Sequence, residues 1–286
     1  MEKKPEWLKV RYNQEAVTEV AELMRDLNLN TVCKEANCPN LGECYRKHIS
    51  TFMILGSVCT RNCRFCNVTT GHPLPPAPEE PMNVAKAAKK LGLRHVVLTC
   101  STRDDLPDGG AEQFAKCVRA IRELCLGITV ETLISDMKMN TDALDIVIAA
   151  HPEVLNHNVE TVKELQAAVR PQARYERSLN VLRYCKEKDP SLLTKTGFMV
   201  GLGETEEQIS ALMDDILDTG CDILTIGQYL QPSPQHYSLA RYATPEDFAR
   251  YKEMALAKGF RNVASAPLAR SSYKVWEVLE DVHDLY

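Results

Sequence analysis

Six of the eleven cysteines lie between positions 33 and 66, as two triplets. Cys33, Cys38 and Cys44 sit in TVCKEANCPNLGEC, and Cys59, Cys63 and Cys66 sit in CTRNCRFC. In a reducing compartment, thiols at this density point to metal or redox chemistry rather than to a disulfide framework. Three thiolates from one short loop can hold three corners of a [4Fe–4S] cube, which leaves the fourth iron without a protein ligand. A catalytic metal site keeps such an open position for its substrate, whereas a structural site is closed. The C-x3-C-x2-C spacing therefore marks Cys59, Cys63 and Cys66 as metal ligands with a catalytic role. The alternative is a zinc knuckle that borrows His48 or His72, but zinc sites usually use paired C-x2-C groups. On spacing alone, the C-x4-C-x5-C of Cys33, Cys38 and Cys44 fits either zinc or a second cluster. The other five cysteines are scattered singly and read as small buried apolar residues; Cys100 falls near the rim of the site, where a thiol is either reactive or simply packed.

Something must hold these loops. TFMILG runs straight into CTRNCRFC, so the second triplet leaves the C-terminal end of a strand. Further strand candidates are His95–Thr99, Ile128–Leu133, Val154–Asn156, Thr196–Val200 and Ile223–Gly227, with the first at Phe52–Leu55. Amphipathic helical patterns fall near 81–91, 111–125, 142–150, 159–169, 177–188, 205–219 and 246–258, after an opening helix over 14–27. In ETEEQISALMDDILDTG, Thr205 and Gln208 have capping-box spacing, Ile209, Leu212, Met213, Ile216 and Leu217 make one apolar stripe, and Gly220 ends it. Strand then helix, repeated about six times, predicts an α/β fold with a parallel sheet and right-handed crossovers. Six units fall short of the eight of a closed barrel, so a partial (β/α)6 TIM-like barrel is expected, with its chemistry at the C-terminal strand ends. Pro-rich HPLPPAPEEP (72–81) reads as a rigid crossover.

Composition narrows the function class. The chain has 286 residues, 44 % hydrophobic and 26 % charged, with a net charge of −5 and a pI near 5.9. That is enough for a sizeable core, and the acidic balance argues against a protein built to hold nucleic acid. No run of eighteen apolar residues predicts a membrane span, and MEKKPEWLKV has no apolar segment of a secretion signal. A cytoplasmic protein is expected.

With its aromatic Phe65 before the last cysteine, CTRNCRFC resembles the radical S-adenosylmethionine (SAM) superfamily. The two triplets in this order are similar to those of the lipoyl synthase family. So are EWLKVR, TFMILG, RDDLPDGGA, NHN, MVGLGET, DILTIGQYLQP and RSSY, which run from Trp7 to Tyr273. The resemblance implies a radical SAM barrel over 49–260, an N-terminal helix and auxiliary-cluster loop over 1–48, and a C-terminal extension over 261–286 that carries RSSY. It implies two [4Fe–4S] clusters. One, on Cys59, Cys63 and Cys66, binds SAM and cleaves it to a 5′-deoxyadenosyl radical. The other, on Cys33, Cys38 and Cys44, donates sulfur and takes Ser272 as a metal ligand with a catalytic role, Ser271 being the fallback. A hard alkoxide is a poor match for a site suited to soft thiolates, which would let that corner open.

The implied reaction inserts two sulfur atoms at C6 and C8 of a protein-bound N6-octanoyl-lysine. Those C–H bonds carry no acidic proton, so a cofactor radical does the hard step while the protein orients and excludes. The implied partners are an octanoylated carrier domain, either the E2 component of a 2-oxoacid dehydrogenase or the glycine cleavage H protein, and an electron donor such as ferredoxin or flavodoxin. No nucleic acid or membrane partner is expected. For SAM contacts beyond the cluster, the candidates are Gly201, Gly203 and Glu204, where glycine lets backbone approach the adenosine, and Asn156 at the end of the fourth strand. Arg103, Asp104 and Asp105 sit where the amino group of SAM is often received, or form a solvated turn. Two other functions compete. A radical SAM tRNA methylthiotransferase would carry a longer N-terminal cluster domain and a basic RNA module. A two-cluster electron carrier would need no open iron and would present four cysteines per cluster.

Overall fold

Each apolar run expected to be a strand is one, and the helices between them return the chain so that the strands lie parallel. The computed structural model describes residues 3–9, 14–36, 38–46 and 50–271. The N-terminal part holds α1 (Gln14–Asp26), β1 (Asn30–Thr31), α2 (Val32–Glu35) and α3 (Leu41–Arg46). Then come β2 (Thr51–Ile54), β3 (Val58–Cys59), β4 (Thr69–Thr70), α4 (Glu80–Lys90), β5 (His95–Cys100) and α5 (Ala111–Leu124). The middle of the chain gives β6 (Thr129–Leu133), α6 (Thr141–Ile148), β7 (Val154–Asn156), α7 (Gln166–Val169) and α8 (Tyr175–Lys188). Last are β8 (Leu193–Val200), α9 (Glu206–Leu217), β9 (Ile223–Gln228), α10 (Pro245–Lys258) and β10 (Asn262–Ala266).

The main sheet has the order β1-β2-β5-β6-β7-β8-β9-β10 and does not close on itself. Every pairing from β2 to β10 is parallel, and only β1 runs antiparallel, with Thr31 opposite Phe52. This is the partial barrel that the strand–helix alternation predicts, with one parallel strand more than the six expected. NVASA (262–266) lacks the apolar run that marks a strand. It pairs with β9 all the same, because an edge strand needs to bury little. A small second sheet, β3 with β4, braces the ends of the Cys59–Cys66 loop.

Two other boundaries differ from the sequence patterns. The helix expected over 159–169 is helical only from Lys163 on. Before that, Glu160 takes a φ of +75° and spends its backbone groups on β8, its N–H donating to Gly197 and its carbonyl accepting from Met199. β8 begins at Leu193, three residues ahead of the expected start, because Thr194 and Lys195 pair with β7 despite being polar.

The core lies between the sheet and its helices. Phe52, Leu98, Val130 and Leu155 pack with Phe114 and Ile121 of α5 and Leu144 of α6. Phe198, Leu224 and Ile226 pack with Ile209 and Met213 of α9 and Phe248 of α10. Each such side chain contributes about 1.5–3 kcal/mol on burial, so cutting fully buried Phe114 to alanine costs about 3–5 kcal/mol. Cys117, Cys185 and Cys221 are buried in these layers, as single small apolar residues should be. The Thr205–Gln208 capping box is formed in both directions. Thr244 and Asp247 form another at α10, where Pro245 supplies a first-turn residue with no N–H to satisfy.

Candidate active site

Both triplets open onto one cavity of about 920 Å³ at the C-terminal ends of the parallel strands. Cys59, Cys63 and Cys66 line it from one side, and Cys33 and Cys38 from another. Cys44 is buried on α3 and is not part of the cavity wall, although its backbone N–H bonds to Asn40 within the same loop. None of the eleven cysteines is disulfide-bonded.

The second triplet is held in shape by the protein's own polar groups. Arg61, between Cys59 and Cys63, is 4 % exposed, and its guanidinium reaches two carboxylates. It donates to Asp104 at 2.7 and 2.8 Å and to Asp136 at 2.7 and 3.0 Å. Burial alone would pull Arg61 down and push Asp136 up. The pairing overrides both, holding the arginine above its ordinary range and the aspartate far below its own. Thr60 bonds Thr102 through backbone and side chain, Asn62 donates to Gln172 at 2.8 Å, and Arg64 donates to the Val169 carbonyl at 2.8 Å. On the far side the Tyr237 N–H donates to the Arg64 carbonyl, and the Arg64 guanidinium stacks over the Tyr237 ring at 5.4 Å. His236 Nε2 contacts the Cys66 carbonyl at 3.1 Å.

Burial pushes the Cys66 thiol up to about 12, and its neighbours Cys63 and Cys59 add to the push. Cys63 is raised for the same first reason, with Arg170 drawing it partly back. In the other triplet, burial and then neighbouring Cys38 push Cys33 up to about 12. Cys33, Cys63 and Cys66 thus sit in a desolvated setting that resists their ionisation. A cationic iron–sulfur centre would supply the charge that makes thiolates favourable, with proton release on loading. Among the described residues, no three His, Cys, Asp or Glu side chains are grouped so as to hold a metal ion. A cube needs no such grouping on one point, since its thiolates bind separate irons at separate corners. The donor chemistry fits a cluster. For zinc, His72 is not on the cavity wall, and His48 lies outside the described residues.

The first two residues of RSSY reach the same cavity. Arg270 and Ser271 line it, and Asn40, from the loop between Cys38 and Cys44, donates to the Leu268 carbonyl at 2.7 Å. Gly227 makes room for this segment: a Cβ there would stand 2.4 Å from the Ala269 carbonyl oxygen. Ser272, the expected ligand, lies outside the described residues.

The candidate SAM contacts are placed as follows. Gly201 has a φ of +101°, and a Cβ on it would meet Gln228 at 2.3 Å and the Arg241 carbonyl at 2.6 Å. Its N–H and that of Leu202 donate to the Glu204 carboxylate at 2.6 and 2.8 Å, which closes the turn. Gly201, Gly203 and Glu204 are not among the residues on the cavity wall, though Met199 just before them is. Asn156 donates to Glu131 at 2.7 Å beneath the wall, while the next residue, His157, lines it. Arg103 pairs with Asp105 and donates to the Leu55 carbonyl, a buried brace rather than a solvated turn. Cys100 lines the cavity beside Cys59, and burial pushes it up to about 12.

Sequence reasoning passed over Arg61, Asp136, Arg170 and Glu160, all of which line the cavity. Arg61 is inside the cysteine motif and Asp136 follows a strand, so a charged pair at strand ends was the available signal.

Known proteins resemble this chain throughout. The radical SAM superfamily profile matches residues 53–216. The lipoyl synthase of Caldanaerobacter subterraneus subsp. tengcongensis is 55% identical over 271 residues, covering 95% of this chain and 95% of that protein. That of Chlorobaculum tepidum is 50% identical over 285 residues, covering 99% and 98%. Among solved structures, Streptococcus suis SuiB bound to the precursor peptide SuiA superposes with a TM-score of 0.57 at 17% identity, over 87% of this chain and 60% of that one. Methylornithine synthase (PylB) superposes with a TM-score of 0.51 at 14% identity, over 97% and 90%. These two carry the fold alone. On the sequence relatives, the chain belongs to the lipoyl synthase family of the radical SAM superfamily.

Proposed function

We propose that this chain inserts two sulfur atoms, at C6 and C8, into an N6-octanoyl-lysine on a carrier protein and so makes the lipoyl group. The observation that supports this most is the convergence of Cys59, Cys63 and Cys66 with Cys33 and Cys38 of the other triplet on one cavity. When bound, a reduced [4Fe–4S] cube on Cys59, Cys63 and Cys66 would supply the electron that splits SAM into methionine and a deoxyadenosyl radical, and a cube on Cys33, Cys38 and Cys44 would supply sulfur.

In this reading Cys59, Cys63 and Cys66 hold the SAM-binding cube and leave one corner open to SAM. Cys33, Cys38 and Cys44 hold the auxiliary cube, with Ser272 as its fourth, weaker ligand. Arg61 orients the first loop through Asp104 and Asp136. Gly201, Gly203, Glu204 and Asn156 act on SAM at one remove, by shaping the strand ends that meet its adenosine. Phe65, Phe198 and Tyr229 give the cavity apolar walls that exclude water from a radical. The division at residues 48 and 260 separates tasks, with auxiliary-cluster ligands on either side of a SAM-cleaving barrel.

The partners proposed are an octanoylated E2 lipoyl domain or glycine cleavage H protein, and a ferredoxin or flavodoxin as reductant. The cytoplasm is the proposed compartment, in keeping with eleven cysteines of which none forms a disulfide. Among the described residues no helix is long and apolar enough to cross a membrane.

The test is anaerobic reconstitution followed by counting iron and sulfide per chain. Incubation with SAM, reductant and an octanoylated peptide should then add the mass of two sulfurs less that of two hydrogens. A single cube per chain, or deoxyadenosine with no heavier peptide, overturns the proposal.

A further inference from the structure

Leu55, the residue that follows β2, stands in the left-handed region with a φ of +66°. A leucine side chain disfavours that conformation, and such a residue persists only where its surroundings over-determine it. Here both of its backbone groups are taken by buried charged side chains. The N–H donates to the two oxygens of Glu80 at 3.0 and 3.1 Å, and the carbonyl accepts from Arg103 at 3.1 Å. Glu80 is 6 % exposed and Arg103 is 1 % exposed. Apolar residues of similar volume would pack a strand end as well as such charges do.

The two holders are themselves held. Gln113 of α5 donates to Glu80 Oε2 at 2.8 Å and to the Ala77 carbonyl at 3.1 Å. Arg103 donates to Asp105 at 2.9 and 2.8 Å. Gly110, just before α5, lies against the leucine side chain, and a Cβ there would overlap Leu55 Cδ1. Leu55 is therefore fixed from α4, from the turn after β5 and from the start of α5. Gly56 follows it with a φ of +84°, and Cys59 comes four residues after Leu55. The strained leucine is the point at which the chain leaves the sheet for the second cysteine loop. Leu55, Glu80 and Arg103 are all absent from the cavity wall.

We propose that Glu80 and Arg103 are positioning residues, which hold Leu55 in its left-handed conformation and so set where Cys59 presents its sulfur to the SAM-binding cube. This rests on the reading given above, in which Cys59, Cys63 and Cys66 hold that cube. The effect of losing the clamp should fall on one cube and spare the other.

The experiment loads the parent, Glu80→Leu and Glu80→Gln with iron and sulfide, then follows iron release to a chelator. Outer residues that orient metal ligands typically matter by about 10–100-fold. Glu80→Leu should lose one cube's iron about ten-fold faster than the parent and the rest at the parent rate. The iron that leaves first should carry the paramagnetic signal, in reduced protein, that changes when SAM is added. Glu80→Gln keeps an oxygen for the Leu55 N–H and should release iron at close to the parent rate. Parent rates in Glu80→Leu overturn the clamp. So does equal acceleration of all the iron, which general loosening would give, or early loss of the signal that ignores SAM. If Glu80→Leu does not fold, Arg103→Met decides alone, since it frees only the Leu55 carbonyl and leaves Asp105 at the surface, 36 % exposed. Failure of the underlying reading shows separately, as a parent enzyme that binds one cube or has no signal that responds to SAM.

Discussion

The Asn67 carboxamide, one residue after Cys66, donates to the Glu35 carbonyl at 2.9 Å, and Glu35 lies between Cys33 and Cys38. One hydrogen bond thus spans the two cysteine triplets. In the proposed reaction, a substrate radical generated beside one triplet would have to meet sulfur held by the other before it met anything else. Fixing the separation of the two loops is how a protein supplies that proximity.

Removing one ligand from the SAM-binding loop should silence the whole reaction. Cys63→Ala is expected to abolish deoxyadenosine formation while retaining the auxiliary iron. Chromatography of the nucleoside and an iron count check it, and wild-type deoxyadenosine would contradict the role given to Cys63.

The other triplet should divide the reaction. Cys38→Ala is expected to keep SAM cleavage and lose sulfur transfer. Mass spectrometry of an octanoylated peptide tests this directly, and lipoyl product from the variant would end the donor assignment.

Arg61 should matter to folding as well as to chemistry. Arg61→Leu leaves Asp136 with Arg177 at 3.2 Å and Asp104 with Lys138 at 3.8 Å, so the cost stays below the roughly 3–5 kcal/mol of a buried charge left with no partner. Arg61→Lys should recover only part of this, because an ammonium cannot make the paired contacts of a guanidinium. Urea unfolding of the metal-free protein gives both numbers; equal stability for all three proteins would show that the carboxylates do not need the fork.

His157 gives the metal-free protein a pH dependence of defined sign. Burial, with Arg170 behind it, lowers this imidazole from the ordinary 6.5 to about 4, against the opposing pull of the Ile134 carbonyl and Asp136. Between about 4 and 6.5 the unfolded chain binds the extra proton, so stability rises with pH across that window and is flat above it. His157→Gln should remove the rise. Unfolding midpoints measured at pH 4.5 and pH 7 decide the matter, and an unchanged slope in the variant would assign it to other groups.

The parallel sheet was legible because β2, β5, β6 and β9 are short apolar runs with helical stripes between them, a pattern that burial on both faces imposes. The two cysteine triplets, the proposed ligands, stood out by their spacing, and the structure brings five of the six onto one cavity. Lys195 was not legible: a lysine among threonines reads as loop, and it takes Glu131, 64 residues earlier, and the Ser271 carbonyl to make it tolerable inside. Glu160 was hidden for a related reason. Its place in a helical pattern gave no sign that its backbone is committed to β8. Arg61 went unremarked in the cysteine motif, because the carboxylates that capture it come from two later strand ends. Pairings over long sequence separations leave no local trace.

The fork of Arg61 has a consequence for how such an enzyme comes into being. In small zinc modules the ion supplies the folding energy, and the empty chain has no shape. Here carboxylates belonging to the polypeptide already brace the Cys59–Cys66 loop, so an iron-free copy leaving the ribosome is expected to keep that loop's course before any metal arrives.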